Sequence, residues 1–409
     1  MEEKVCYNIN TVNYDLKGKS MNNNVVGAEE IAPKTKVETK NIPESARKKD
    51  GEIVYKDGRV EVLEYGITEI KEKAYYKNEN IVSVVLPNGV TKIGRDAFWG
   101  CTNLESIDIP RSVTTIAANA FWICRSLTSI EIPSGVTEIG NDAFGSCYKL
   151  KNIYIPDSVE KFDGNPFQLS DVNLEISTEN TRFKVIDNNI YTADGKTIVV
   201  YTQKKNEPIF SIPEGVITIS AYAFSNCSSL KSVELPDTVT YIGKNAFSGC
   251  HKLKSIDIPC GVTEISGSAF SSCWELEKVK IPNSVTKIDS YAFSFCRSLK
   301  NIEIPSSVTE IKFHAFGGCT SLISAEIPSS MTIIDTGIFS CCSSLTSVKI
   351  PSRVRKIRYD AFEKCNSLKD VYYAGSANDW KKITIDKSYG GNNKLIGLIG
   401  RAKIHYNCK

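Results

Sequence analysis

The sequence predicts an α/β solenoid, a right-handed superhelix of about twelve 23-residue units with a parallel β-sheet, a β-hairpin insert and terminal caps. Proline, phenylalanine and cysteine each recur at steps of 23 residues along most of the 409-residue chain. The prolines are Pro87, Pro110, Pro133, Pro156, Pro213, Pro236, Pro259, Pro282, Pro305, Pro328 and Pro351; the phenylalanines are Phe98, Phe121, Phe144, Phe167, Phe224, Phe247, Phe270, Phe293, Phe316, Phe339 and Phe362; the cysteines are Cys101, Cys124, Cys147, Cys227, Cys250, Cys273, Cys296, Cys319, Cys342 and Cys365. Three ladders in one phase indicate a repeat array.

Within each unit, the apolar positions predict a short helix followed by a strand. The unit 87–109 reads PNGVTKIGRDAFWGCTNLESIDI. Ala97, Cys101 and Leu104 are spaced as one stripe of a helix, whereas Ile107 and Ile109 alternate as the inward side chains of a strand. One unit cannot bury these side chains by itself, so we expect neighbouring units to stack around a continuous core.

Interruptions of the period divide the chain into five segments. Residues 1–50 lie outside the repeats, are rich in Asn, Lys and Glu, and are predicted to be largely disordered. An N-terminal cap and the first repeats occupy 51–178, an insert occupies 179–212, further repeats occupy 213–373, and a C-terminal cap occupies 374–409.

The insert predicts a β-hairpin. It contains FKVIDNNIYTADGKTIVVYT, two β-rich runs joined around Asp194 and Gly195, and an Asp-Gly pair between such runs is a strong hairpin signal. Because the repeats on either side keep the 23-residue step, we expect the hairpin to be an outgrowth rather than part of the core.

The recurring motif I-P-x-x-V-T-x-I-x-x-x-A-F-x-x-C-x-x-L-x-x-I-x-I resembles the BspA-type leucine-rich repeat over residues 64–373. This family includes surface antigens and adhesins of bacteria and parasitic protists. The terminal YYAGSANDWKKI…IHYN is similar to a C-terminal cap of that family, and the hairpin insert is similar to one seen among its members. The resemblance implies a non-catalytic, adhesin-like binding scaffold with a protein or glycoconjugate partner, located at the cell surface or secreted.

An intracellular interaction scaffold with the same fold is the alternative. The N-terminus reads MEEKVCYNIN and shows no apolar signal segment, which favours a cytoplasmic location if the chain is complete. The net charge of +3 argues against binding to nucleic acid. No run approaches the roughly 18 apolar residues of a membrane-spanning helix, so we expect no membrane insertion. The oligomeric state does not follow from the sequence.

The phased cysteines allow three interpretations. Metal sites favour paired spacings such as C-x2-C, which are absent, so no metal is expected. Disulfides between cysteines of neighbouring turns are geometrically possible, because stacked strands lie about 4.8 Å apart. We favour the third interpretation, in which each cysteine is a small buried side chain with a reduced thiol.

The sequence contains no recognisable catalytic motif or cofactor motif. The three histidines, His251, His314 and His405, stand in no nucleophile or zinc-ligand pattern, and no glycine-rich phosphate loop is present. The carboxylates recur with the repeat, whereas an active site requires one constellation that does not repeat. We therefore expect no catalytic residues, no cofactor and no enzymatic activity.

A row of outward side chains is the main candidate for ligand binding. It lies two residues before each proline, on the strand expected to form the concave sheet. The candidate residues are Asp108, Glu131, Tyr154, Glu234, Asp257, Glu303 and Glu326, and Lys280, Lys349 and Tyr372 hold the same position in other units. The alternative is a solvated sheet face whose charges only maintain solubility.

Trp99 and Trp122 form a second candidate. They occupy the same position in adjacent units, directly after the phenylalanine, where other units place small or polar residues. Two neighbouring tryptophans could form an exposed aromatic patch for protein or glycan contact. Alternatively, they pack on each other or against the N-terminal segment.

Overall fold

The computed structural model describes residues 51–64, 66–202, 208–386 and 402–408. The predicted disorder of residues 1–50 lies outside the described residues, as does most of 387–409. The described residues wind into a β-solenoid of about 13 turns of roughly 23 residues. This confirms the predicted repeat solenoid, with two sheet surfaces of mostly parallel strands in place of one sheet and very little helix.

One sheet surface, here called face A, is built from the L-x-x-I-x-I segments. Its strands are β1 (Glu52–Tyr55), β2 (Val60–Val62), β4 (Ile81–Val85), β6 (Ser106–Asp108), β9 (Asn152–Ile155), β11 (Asn173–Ile176), β15 (Ile209–Ser211), β17 (Ser232–Glu234), β19 (Ser255–Asp257), β21 (Lys278–Lys280), β24 (Ser324–Glu326), β26 (Ser347–Ile350), β28 (Asp370–Tyr373) and β30 (Lys403–His405). Pairing is parallel except around β1, which runs antiparallel to β2 and β4. Ser83 lies opposite Ser106, one repeat further on.

A second sheet surface, face B, is built from the V-T-x-I segments. Its strands are β3 (Glu69–Ile70), β5 (Lys92–Ile93), β7 (Thr115–Ile116), β8 (Glu138–Gly140), β10 (Lys161–Asp163), β16 (Thr218–Ile219), β18 (Tyr241–Ile242), β20 (Glu264–Ile265), β22 (Lys287–Ile288), β23 (Glu310–Ile311), β25 (Ile333–Ile334), β27 (Lys356–Ile357) and β29 (Thr384–Ile385). Polar side chains bond between turns: Thr114 donates to the Thr91 carbonyl at 3.1 Å, and Lys161 pairs with Glu138 at 2.7 Å.

The predicted helix in each unit is wrong. The A-F-x-x-C segments are successive tight turns, and the described residues contain a single four-residue helix, α1 (Ala377–Trp380). Asp96 and Gly100 bracket the segment with φ values of 57° and 73°, in the left-handed region that an α-helix does not contain. The Phe98 N–H therefore bonds to the Ala120 carbonyl of the next turn at 2.8 Å, instead of to a carbonyl four residues earlier.

The core is a set of identical side chains stacked along the solenoid. The phased phenylalanine rings are buried and nearly parallel, as for Phe98 and Phe121, whose centroids lie 5.5 Å apart. The phased cysteines are also buried, and the Cys124 thiol donates to the Phe98 carbonyl at 3.2 Å. In the fifth unit, Ser170 replaces the cysteine and donates to the Phe144 carbonyl at 2.8 Å. This position therefore requires a small side chain that donates a hydrogen bond to a carbonyl of the preceding turn.

The described residues of the insert contain four strands: β12 (Phe183–Ile186), β13 (Asn189–Thr192), β14 (Thr197–Val200) and β15 of face A. β13 and β14 pair antiparallel around Asp194 and Gly195, and β14 continues in parallel to β16 on face B. The expectation of an outgrowth is wrong, because Ile190, Ile198 and Val200 are fully buried.

The end of the insert behaves as an additional turn of the solenoid. Tyr201 takes the place of a ladder phenylalanine: its N–H bonds to the Ala223 carbonyl at 3.0 Å, and its ring stacks on Phe224 at 4.6 Å. Together with the twelve predicted units, this turn accounts for the observed number of about 13.

The C-terminal segment extends both faces beyond the last repeat. Ser376 caps α1 with a reciprocal capping box that includes Asp379. β29 pairs in parallel with β27 on face B, and β30 pairs in parallel with β28 on face A. Ile383 belongs to the core, with Trp380 packed against it.

Candidate functional site

The row predicted from the sequence lies on face A, and its side chains point into solvent. Each follows a buried residue of its strand, as Asp108 follows Ile107, because successive side chains of a strand point to opposite faces. All seven candidate residues are exposed. The register places Asp257 opposite Lys280, and Glu326 opposite Lys349. The structure thus brings the predicted residues onto one surface, on adjacent turns.

The register adds residues that the sequence analysis missed. Glu175 lies opposite Tyr154, and Ser211 lies opposite Glu234. His405 of the cap lies opposite Tyr372. Glu175 escaped because it follows Tyr154 after 21 residues instead of 23, although its Leu-Glu-Ile context (Leu174–Ile176) is the same strand pattern as in the other units.

The two halves of the row differ in charge. The N-terminal half contains Asp108, Glu131, Tyr154 and Glu175, and the Tyr154 side chain is 53% exposed. No ion pair between described residues involves the three carboxylates. The N-terminal half is thus a set of uncompensated negative charges around an exposed aromatic ring.

Positive charges are interspersed among the negative ones in the C-terminal half of the row. Lys280 lies opposite Asp257 on the neighbouring strand, and the Lys349 ammonium lies 3.2 Å from the Glu326 carboxylate. Ser211 donates to Glu234 at 2.5 Å. Glu234 and Glu326 therefore have partners within the sheet, and the two lysines reduce the net negative charge of this half.

A groove of about 420 Å³ lies at the C-terminal end of the row. Glu303, Glu326, Lys349 and Tyr372 line one side, isoleucines and prolines of the turns form the floor, and Cys408 lies at the cap end. Beside the groove, Tyr372 stacks on His405 at 4.7 Å, and His405 Nε2 lies 2.8 Å from the Asp370 carboxylate. The walls carry both charge signs.

The tryptophan candidate is not an exposed patch. Trp99 is only 7% exposed and meets Trp122 edge-on, with ring centroids 5.9 Å apart. Tyr76 stacks on Trp99 at 4.6 Å, and the Lys77 ammonium lies 5.2 Å from the Trp99 ring centroid. Packing of the two tryptophans on each other is therefore what the structure shows, with Trp122 half-buried.

The ladder cysteines are free thiols. All ten phased cysteines are buried and none forms a disulfide. Burial raises the pKa of the Cys101, Cys147, Cys319 and Cys365 thiols to about 12. Because the thiolate is the reactive form, these side chains are poor nucleophiles and poor metal ligands.

Two histidines are held by packing. His251 stacks on Trp274, with the ring centroids 3.7 Å apart. The Arg297 guanidinium also lies over the Trp274 ring, 5.0 Å from its centroid. His314 Nδ1 lies 2.8 Å from the Ser340 hydroxyl. Burial lowers the pKa of both imidazoles, so both are neutral at pH 7. Ser340 is itself buried, which leaves this pair without access to a substrate.

Among the residues that the structure describes, no group of three or more His, Cys, Asp or Glu side chains has the arrangement of a metal site. None of the helices in those residues has the length and apolar composition required to cross a membrane.

Several solved structures are similar to this chain. A leucine-rich repeat protein from Eubacterium ventriosum is 24% identical, with 78% of this chain and 84% of that chain covered and a TM-score of 0.51; this likeness concerns the fold alone. A leucine-rich repeat protein from Bacteroides ovatus is 25% identical, covering 87% of this chain and 98% of that chain, with a TM-score of 0.46. A leucine rich cell surface protein from Faecalibacterium prausnitzii is 27% identical, covering 78% and 79%, with a TM-score of 0.41.

The sequence matches one family along most of its length. No curated protein matches it. The family described as "BspA type Leucine rich repeat region" matches residues 64–195, 200–297 and 263–389. These segments include nearly all of the solenoid turns, so the chain belongs to the BspA-type leucine-rich-repeat family.

Proposed function

We propose that this protein is a non-catalytic, adhesin-like scaffold that binds the basic surface of a protein partner through the N-terminal half of the row on face A. The observation that carries the proposal is the set of uncompensated carboxylates of Asp108, Glu131 and Glu175 around the exposed ring of Tyr154. Complementary charge accelerates and orients association, and tyrosine is enriched among residues that contribute most to protein interfaces.

The solenoid suits this role because it holds the row rigid. Stacked strands are about 4.8 Å apart, so the four side chains span roughly 14 Å. Their spacing is fixed by the backbone ladder between β9 and β11 and by the stacked core beneath them. A partner would meet a surface that is already ordered and would lose little binding free energy in ordering it.

Glycoconjugates are the other class of partner expected from the sequence. A neutral glycan can donate hydroxyl hydrogen bonds to carboxylates, but it carries no charge, so its binding changes little with salt. Attraction between charges, in contrast, weakens as ionic strength rises. The salt dependence of binding therefore distinguishes the two classes of partner.

The experiment compares the intact protein with a row variant, Asp108→Asn/Glu131→Gln/Glu175→Gln, on immobilised panels of basic proteins, acidic proteins and neutral glycans. The control variant, Glu79→Gln/Glu214→Gln/Glu275→Gln, removes three exposed carboxylates that lie off the row. We expect binding to basic proteins that weakens in the row variant, chiefly through a slower and less salt-sensitive association rate. Equal binding by all three proteins at low salt, or binding to glycans alone, would contradict the proposal.

One observation favours the intracellular scaffold as a second candidate. Ten buried ladder cysteines are free thiols, and free thiols are more usual in reducing compartments. Protease treatment of intact cells that make the protein separates the two. Release of its peptides indicates surface display and supports the adhesin-like function, whereas full protection indicates a scaffold inside the cell.

A further inference from the structure

The apolar core of the solenoid is divided in two at the hairpin insert. The core on the N-terminal side includes Ile190 and Val200, whereas the core on the C-terminal side includes Tyr191 and Ile198. Ile190 and Tyr191 are neighbours in β13, and successive side chains of a strand point to opposite faces. β13 and β14 therefore form a wall that is buried on both faces and separates the two cores.

Both sheets are interrupted at the same place. On face A, one sheet ends with β11 paired to β9, and the next begins with β15 paired to β17. On face B, one sheet ends at β10, and the next runs in the order β12, β13, β14, β16 and β18. Among the strands of the described residues, no backbone ladder joins β11 to β15 or β10 to β12.

Side-chain amides replace the missing backbone bonds. Asn165, which is 1% exposed, donates to the carbonyls of Tyr201 and Ala223 at 3.0 and 3.1 Å. Asn226 donates to Gln168 at 2.7 Å across the same gap.

Within each half, the N–H of a ladder phenylalanine bonds to a carbonyl of the next turn, as Phe98 does to Ala120. At the junction, the Phe167 N–H bonds to the Asn165 side-chain oxygen instead. A few specific side chains and the apolar faces of the wall therefore hold the two halves together.

From this arrangement we infer that the insert divides the solenoid into two cooperative units that unfold separately, one on each side of the wall. In a repeat protein, stability is approximately the sum of the turns and of the contacts between neighbouring turns, so partial unfolding stops at the weakest contact. The C-terminal unit contains more turns and is therefore the more stable. The acidic half of the row and the C-terminal groove lie on different units.

The four tryptophans allow each unit to be followed in the intact chain. Trp99 and Trp122 belong to the N-terminal side, and Trp274 and Trp380 belong to the C-terminal side. Trp274→Phe/Trp380→Phe leaves reporters only in the N-terminal unit, and Trp99→Phe/Trp122→Phe leaves them only in the C-terminal unit. In urea, we expect two fluorescence transitions, the N-terminal one at lower denaturant. Each should have roughly half the m-value of a single transition of the whole solenoid, because m follows the surface exposed.

Two further variants test whether the contacts at the junction determine how far apart the two unfolding midpoints lie. Asn165→Ala removes the bonds across the wall and should move the two midpoints further apart. Ser266→Ala removes a buried bond inside the C-terminal unit, to the Ile242 carbonyl at 2.6 Å, and should lower only the C-terminal midpoint, which moves the two midpoints closer together. Hydrogen exchange of the unsubstituted protein in urea, read by mass spectrometry, repeats the measurement without tryptophan changes. Coincident midpoints for both reporters, together with exchange of both halves in one step, would overturn the inference.

Discussion

The cysteine ladder should make the solenoid unstable in alkali. The pKa of nine ladder thiols is raised by burial, from a reference value of 9.0, for Cys101, Cys124, Cys147, Cys227, Cys273, Cys296, Cys319, Cys342 and Cys365. A raised pKa in the folded state means that the thiols contribute their full stability below pH 9. This contribution is lost as the pH rises toward 12, because only the unfolded chain releases the protons.

The size of the effect follows from the same values. At pH 10, an unfolded thiol with a pKa of 9.0 is mostly ionised while the folded thiol stays protonated, which lowers the free energy of unfolding by about 1.4 kcal/mol per thiol. Three of these thiols, Cys101, Cys124 and Cys147, lie in the N-terminal unit and together amount to about 4 kcal/mol. The other six lie in the C-terminal unit and amount to about 8 kcal/mol, comparable with the entire stability of many proteins. Urea unfolding in the presence of reductant should therefore show a large drop in midpoint between pH 8 and pH 10.

The variant Cys124→Ser isolates one thiol from the other groups that titrate in alkali. Serine is tolerated at this position, as Ser170 shows by making the same bond to the preceding turn, and serine does not ionise in this range. At pH 7 we expect a loss of about 1 kcal/mol. Between pH 8 and pH 10, the stability of the variant should fall by about 1.4 kcal/mol less than that of the parent. Parallel pH profiles for the two proteins would refute the argument.

Three more predictions concern single side chains. Asp142→Asn, which introduces the residue found at Asn245 in another turn, should stabilise the protein by about 4 kcal/mol at pH 8 and by under 2 kcal/mol at pH 5. Burial raises the pKa of Asp142 to about 7, so charging this side chain destabilises the fold as pH rises. Urea midpoints at both pH values measure the gain, and an equal gain at both would contradict the prediction. Ile123→Gly should raise the free energy of unfolding by about 1 kcal/mol, because Ile123 has φ 64° at the position where the preceding turn has Gly100. A lower urea midpoint than that of the parent would show that the packing of the Ile123 side chain outweighs the backbone strain. Native thiol titration should label Cys260, which is exposed, and leave the ladder unlabelled until denaturation; labelling of the ladder in the native state would mean that the turns open.

The solenoid was predictable because the same 23-residue pattern recurs along most of the chain. The A-F-x-x-C turns were mistaken for helices because the spacing of their apolar residues fits both structures. Ala97, Cys101 and Leu104 fit a helical stripe equally well when they sit on tight turns. The evidence against a helix was Asp96 and Gly100, residue types that tolerate left-handed backbone. At the Asp96 position, most other turns also place Asn, Asp, Ser or Gly. Hydrogen bonds from one turn to the next, which decide the outcome, involve residues 22 positions apart and leave no local pattern.

The insert was misjudged because part of it is out of register with the repeat. Ile198 lies opposite Ile219, 21 residues later, whereas Tyr201 stacks on Phe224, 23 residues later. A search for a constant period therefore excludes the whole segment, although its second half forms a turn of the solenoid. The same shift of two residues concealed Glu175 from the row. In both cases, burial and pairing were determined by contacts that the sequence spacing does not reveal.

Positions that differ from turn to turn are where recognition of a partner can be specified. The ladder positions hold Phe, Cys, Leu and Pro in nearly every unit because stacking requires the same shape at each step. The row on face A changes from Asp108 to Glu131 to Tyr154 to Glu175 within four turns, at equal exposure and without effect on the core beneath. Since stacking does not determine these side chains, their order is free to match a partner. The hairpin wall then places the acidic half of the row and the half that contains Glu326 and Lys349 on two separate cores, so we expect changes on one surface to leave the other undisturbed.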